Sequence, residues 1–310
     1  MHHIPVLLNE VLEILEPSAP LLRQSADSKG QGKVIVDGTV GSGGHAMPII
    51  ERLTPDGIFV GTDWDEELVK KLEVKIKEYR PKLKKLILKA GNYTDLPEIL
   101  KEEGVGKVDG VLLDLGFSSD QLAGGRGFSF NPPAGGEPLI MTYSKNRLPA
   151  HRALMQLSKM ELTEIIRTYG EERYAGPIAK AIWERERKQP IKTSGELQEI
   201  IRRAVPKSYE RGRINPATRT FMALRIYLND ELGNLEKFLK SVSQIMAKGG
   251  RVAVISFHSL EDRLVKNYFR DLSKAGKAQL ITKKPIIPDE AERRDNPRSR
   301  GAKLRAIEII

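Results

Sequence analysis

The chain has 310 residues, no cysteine and a formal net charge of +10. Lacking cysteine, it can form no disulfide, thiolate metal site or cysteine nucleophile, which suits a reducing compartment. No apolar run reaches the length of a membrane span, and the start Met1-His2-His3-Ile4-Pro5 lacks the charged and apolar regions of a signal peptide. A soluble, cytoplasmic protein without a membrane partner is expected.

In chain order, Leu8, Val11, Leu12 and Leu15 fall at helical spacing and predict a lead-in helix over 5–15. Val34 to Val36 reads as a first strand running into Asp37. After it come the glycine loop Gly41-Ser42-Gly43-Gly44-His45, a helix from Ala46 to Leu53, and a second strand, Ile58 to Thr62, ending on Asp63. Asp65 to Tyr79 predicts a helix, Leu86 to Leu88 a third strand, and Leu96 to Glu103 a helix stopped by Gly104. Val108 to Leu113 then runs into Asp114 as a fourth, buried strand. Strands alternating with helices imply a parallel α/β sheet.

From Gly124 to Gly136 the pattern breaks into a Gly/Pro-rich loop, long enough to suggest a function of its own. Helices follow. Ser158 with Glu161 and Thr193 with Glu196 are capping boxes, Gly170 is expected to stop the first of these helices, and Pro216 suits the first turn of another. Gly249-Gly250 precede a fifth strand, Arg251 to Ser256. The sheet therefore resumes after a helical interruption, which predicts a discontinuous core, 1–138 with 217–310, and an all-helical insertion, 139–216.

The charge is uneven. Residues 147–215 hold 15 Lys/Arg against 9 Asp/Glu and residues 274–305 hold 10 against 4, leaving the remainder near neutral. Two basic attachments on a neutral core point to a polyanion, with a solvated surface as the alternative.

Glycines allow positive φ and close approach to a ligand, and a helix that follows supplies free N–H groups. Gly41-x-Gly43-x-x-Ala46 with Asp63 also fits a dinucleotide fingerprint. Asp37 argues against that ligand, because a carboxylate at the end of the first strand would repel a pyrophosphate. S-adenosylmethionine, which carries a sulfonium and an ammonium, suits acids at the first and second strands better. A glycine turn flanked by solvated acids is the bland alternative.

Asp114-Leu115-Gly116-Phe117-Ser118-Ser119-Asp120-Gln121 should lie beside this loop, at the carboxyl edge of the sheet. Asp114, Ser118 and Ser119 could accept the hydrogens of an exocyclic amine and steer its lone pair; equally, they could cap a helix. Asn131-Pro132-Pro133-Ala134 resembles an amino-methyltransferase motif but lacks its aromatic and its preceding strand. Arg126, Phe128 and Phe130 could stack on a splayed base, or simply anchor their loop. His258 follows the fifth strand and could donate to a base carbonyl or a phosphate. Arg298, Arg300, Lys303 and Arg305 form a basic tail suited to phosphate contact or to solvation. No cluster with metal spacing is present in the sequence, and no metal is expected.

Together these segments resemble the ribosomal RNA small-subunit methyltransferase H family, the MraW-like enzymes. The likeness covers His3 to Leu8, Gly41 to His45, Asp109 to Ser119, Arg126 to Phe130, Tyr169 to Glu172, Ala217 to Phe221, Ser256 to Arg263 and Asn296 to Arg305. It implies a class I Rossmann-like sheet, S-adenosylmethionine as cofactor, and methylation of the exocyclic N4 of a cytidine in 16S rRNA of the small ribosomal subunit. A homodimer is compatible with it. By this resemblance Gly43, Gly44, His45, Asp63, Tyr93, Asp114 and Gln121 take cofactor positions, Tyr93 standing where the family has a Phe over the adenine. The chain departs from the family at Pro138-Leu139-Ile140-Met141-Thr142-Tyr143-Ser144, where Pro-Leu-Asp-Met-Arg-Met-Asp is usual. That loss keeps open a second reading, an RNA-binding ribosome-assembly factor with an intact cofactor pocket and little turnover.

Overall fold

The computed structural model describes residues 4–18, 32–116, 124–129, 135–211 and 215–310. Its chain divides into two compact units, Met1–Ser118 with Leu232–Ile310, and Ser119–Glu231.

The first unit is built on a seven-stranded sheet: β1 (Val34–Asp37), β2 (Ile58–Asp63), β3 (Lys85–Ala90), β4 (Val108–Asp114), β5 (Met246–Ser256), β6 (Ala278–Leu280) and β7 (Lys303–Ile309), in the order β3-β2-β1-β4-β5-β7-β6. Strands β1 to β5 pair in parallel and β7 runs antiparallel between β5 and β6. A sheet covered on both faces needs apolar residues at successive positions, each serving the opposite side. Ile35, Leu112, Ala253 and Leu304 accordingly pack with helices α1 (Leu8–Leu15), α2 (Ala46–Arg52) and α3 (Glu66–Tyr79). Their neighbours Val36, Val111, Leu113 and Val254 pack with α4 (Leu96–Glu102) and α10 (Glu231–Ile245) on the other face, joined by Val265 and Phe269 of α11 (Ser259–Lys274). Among the described residues no helix is long and apolar enough to cross a membrane.

The second unit holds α5 (Ala150–Gln156), α6 (Lys159–Gly170), α7 (Ala175–Lys188), α8 (Ser194–Ala204) and α9 (Thr218–Asn229). Both expected capping boxes form, on α6 and α8. Phe128, from before the expected insertion, and Phe221, Leu224 and Leu228, from after it, are buried in its core. The second compact unit, Ser119–Glu231, is wider than the insertion expected at 139–216. Gly170 does not stop α6: it is the last helical residue, and Glu171 takes the left-handed turn at φ 46°. A Cβ on Gly170 would lie 2.8 Å from the Arg219 carbonyl oxygen, so glycine is required for the close approach of α9.

Candidate active site

Three neighbouring strands end on an aspartate: β2 on Asp63, β1 on Asp37 and β4 on Asp114. Paired strands lie about 4.8 Å apart, so the sheet itself sets three carboxylates in a row on its carboxyl edge, where open α/β sheets bind ligands.

Each acid is held differently. Asp63 ties the glycine loop to the next helix, its Oδ2 accepting from the Gly41 N–H and its Oδ1 from the Asp65 N–H, both at 2.9 Å. Asp37 is 1% exposed, and its Oδ1 accepts from the N–H and hydroxyl of Thr39 at 2.9 and 3.3 Å. Burial pushes its carboxyl up to about 7; His45 and the Thr39 N–H oppose the rise, while Asp114 and Asp63 add to it. Asp114 is pinned through its backbone N–H, which donates to the Thr39 hydroxyl at 2.7 Å. Its side chain, 14% exposed, is also pushed up to about 7 by burial, with the Gly116 N–H opposing and Glu261 reinforcing. Acids in this state gain most from a ligand that brings positive charge.

The loop between β1 and α2 carries Gly41 at φ 49° and Gly43 at φ 89°. A Cβ on Gly43 would also fall 2.5 Å from Leu72 Cδ1, so conformation and space both require glycine there. His45, 4% exposed, turns its ring inward: Nε2 lies 2.9 Å from the Val6 carbonyl oxygen and Nδ1 3.5 Å from Asp114 Oδ2. What this position offers a ligand is therefore its backbone. Tyr93, after β3, is 6% exposed and packs edge-on against Phe238 at 5.7 Å, with the tilted ring of Trp64 at 6.4 Å. Trp64 was not anticipated, although an aromatic directly after the strand-end acid Asp63 was a readable signal.

His258 lies at the carboxyl end of β5 but serves as a helix cap, which the catalytic expectation did not include. Its Nδ1 accepts from the Glu261 N–H at 3.4 Å, and Glu261 Oε2 accepts from the N–H groups of Phe257 and His258 at 2.9 and 3.3 Å. Nε2 is 3.1 Å from Glu261 Oε1. Ser118, Ser119, Gln121 and Phe130 lie outside the described residues.

At two of the positions expected to contact nucleic acid, the same side chains have partners within the protein. Phe128 is a core residue, 4% exposed and stacked on Tyr143 at 5.4 Å, with the Arg126 guanidinium 5.5 Å above its ring and donating to the Tyr143 carbonyl at 3.2 Å. This pair anchors its loop instead of presenting a stacking face. Lys303 and Arg305 belong to β7, not to a loose tail, and both bond Asp262, at 3.3 and 2.7 Å. Arg305 is only 7% exposed, because the strand carries it into the sheet. Arg298 and Arg300 are exposed on the short 3-10 turn before β7.

The strand order, the glycine loop after β1 and the row of strand-end acids define a class I, Rossmann-like methyltransferase with an inserted helical unit. The model of the MraW methylase family matches residues 1–310, and the chain belongs to that family. Curated relatives named "Ribosomal RNA small subunit methyltransferase H" span its whole length. The protein of Geotalea uraniireducens is 42% identical, with 100% of this chain and 99% of that one covered. That of Syntrophobacter fumaroxidans is 39% identical, covering 99% and 96%. Among solved structures, a putative rRNA-methylase from Clostridium thermocellum aligns over 90% of both chains at 11% identity and a TM-score of 0.44.

Proposed function

We propose that this protein transfers a methyl group from S-adenosylmethionine to the exocyclic N4 of a cytidine in 16S ribosomal RNA of the small subunit. The observation that carries the reading is the row Asp63, Asp37, Asp114 on adjacent strands, a set of acids that favours a cationic ligand over a dinucleotide. S-adenosylmethionine, when bound, supplies a methyl carbon already activated by its sulfonium. Asp63 accepts from the ribose hydroxyls, Tyr93 and Trp64 lie on the adenine side, and Asp37 balances the positive charge. Asp114, with Ser118 and Ser119, holds the amine hydrogens. The N4 lone pair is delocalised into the ring, so the protein acts chiefly by fixing amine and methyl in line. The whole-length relatives, all named for a small-subunit rRNA methyltransferase, support the RNA substrate.

The test has two parts. Calorimetry on the isolated protein should show binding of S-adenosylmethionine and S-adenosylhomocysteine but not of NAD. Mapping of N4-methylcytidine in rRNA from cells with and without the gene should show one site lost; rRNA unchanged by the deletion refutes the proposed reaction.

A further inference from the structure

Among the described residues of the first unit, His45 is the imidazole whose ring bridges the segment before α1 and an acid of the sheet edge rather than capping its own helix. Although it stands at the N-cap of α2, its side chain makes no cap bond. One nitrogen, Nε2, is 2.9 Å from the Val6 carbonyl oxygen. A carbonyl oxygen only accepts, so Nε2 must carry hydrogen. The other nitrogen, Nδ1, is 3.5 Å from Asp114 Oδ2. With the Nε2 hydrogen committed to Val6, Nδ1 and Asp114 have room for one proton between them: held by the carboxyl and donated to Nδ1, or held by Nδ1 beside a carboxylate.

The pair stands on its geometry, and the charges around it act in both directions. Burial holds the ring's basicity below that of an ordinary imidazole, with Asp37, the Val6 carbonyl and Glu292 opposing. Glu261 acts on Asp114 in the same sense as burial, favouring the protonated acid. Asp37 is in turn acted on by Asp63. Glu292 also accepts from the Leu7 N–H at 2.9 Å, holding the stretch of chain that presents the Val6 carbonyl.

We propose that His45 is a positioning residue and proton partner for Asp114, taking up through that carboxylate the proton the amine loses on methylation. This rests on the reading of Asp114 as the group that holds the amine. In the reaction the N4–CH3 bond forms as the S–CH3 bond breaks, and the sulfur of S-adenosylhomocysteine keeps the electron pair. N4 then sheds one of its two hydrogens as a proton to Asp114, and His45 Nδ1 shares it until solvent takes it. Without the ring the proton is confined to one carboxyl, and among the described residues the Asp114 side chain keeps the Gly116 N–H as a donor at 3.4 Å.

The experiment uses the full-length protein, assembled small ribosomal subunits and labelled S-adenosylmethionine. For His45→Gln, whose amide can still donate to Val6 but takes up no proton, kcat should fall by at least about tenfold. KM for S-adenosylmethionine should stay within about twofold, and the rise of kcat with pH should shift. Asp114→Ala, which removes the acceptor altogether, separates the two readings. If Asp114→Ala leaves methylation intact, the amine-holding role of Asp114 fails; if Asp114→Ala abolishes it while His45→Gln leaves both kcat and its pH profile unchanged, the His45 proposal alone fails. A second measurement needs no variant. Nitrogen-resolved histidine spectra of the natural protein should show His45 protonated at Nε2 throughout, with Nδ1 gaining its proton as pH falls through the range where kcat changes. A neutral ring protonated at Nδ1 overturns the proposal.

Discussion

Asp37→Asn should make the ligand-free protein more stable at pH 8, although it removes a hydrogen-bonded acid. Burial raises the folded-state carboxyl from 3.8 to about 7, so between those values the folded protein holds a proton the unfolded chain has released. Stability contributed by the site therefore falls as pH rises from about 4 to 7 and is flat above. A rise of about 3 pKa units sets a ceiling of roughly 4 kcal/mol on the cost of the ionised form. Asparagine keeps an oxygen to accept from Thr39. It loses the charge-assisted part of that bond and adds an amide hydrogen without an assigned acceptor, costing about 1–2 kcal/mol together. The net gain at pH 8 should be about 2 kcal/mol, vanishing or reversing near pH 4. Because Asp114 and Asp63 interact with Asp37, the midpoint of the change belongs to the cluster and not to one acid. Urea unfolding of both proteins from pH 4 to 9, without ligand, measures it. A variant less stable at pH 8, or a difference that does not vary with pH, refutes the reasoning. The same variant should bind S-adenosylmethionine more weakly, since the cation then meets one carboxylate fewer.

Asp63→Ala should weaken S-adenosylmethionine binding by about 1.5–3 kcal/mol, the worth of a charge-assisted hydrogen bond, and unchanged affinity by calorimetry would remove Asp63 from the site. Gly43→Ala must hold a Cβ at φ 89° against Leu72, and should lose about 1–2 kcal/mol of stability in urea unfolding along with donor binding. Replacing Arg298 and Arg300 should weaken RNA binding and flatten its salt dependence, the slope falling by about 1 for each phosphate no longer neutralised; an unchanged slope leaves that turn a solvated surface. Arg305→Ala, by contrast, should destabilise the fold by about 3 kcal/mol, because it leaves Asp262 without its closest partner. Finally, Ile140→Asp with Thr142→Arg should change single-turnover methylation of small subunits little. Asn229 holds the segment at the Met141 carbonyl and the Tyr143 N–H, and because Thr142 is 3% exposed, urea unfolding must first show that the doubly replaced protein is folded. A large gain in rate would favour the assembly-factor reading.

Much of the fold was legible in local pattern. Apolar runs ending on Asp37, Asp63 and Asp114 marked the strands, and a Ser or Thr three residues before a Glu marked the starts of α6 and α8, because these features depend on backbone geometry within a few residues. The basic segment from 296 to 305 read as a tail because its strand alternates cations with small and apolar residues. Pairing with β5, 47 residues away at Ser256 and Lys303, made it β7 and buried Arg305. Phe128 and Arg126 had the composition of a stacking loop, and only the packing of the helical unit turned them inward. Gly170 looked like a helix stop until the approach of α9 gave it a different reason. The sequence by itself determined the order of the elements and the acids at the strand ends, since both are set by short-range chemistry. Which acid faces which ring was decided by the tertiary structure alone: Val6, His45 and Asp114 meet only because β1 and β4 pair and α1 packs beneath them.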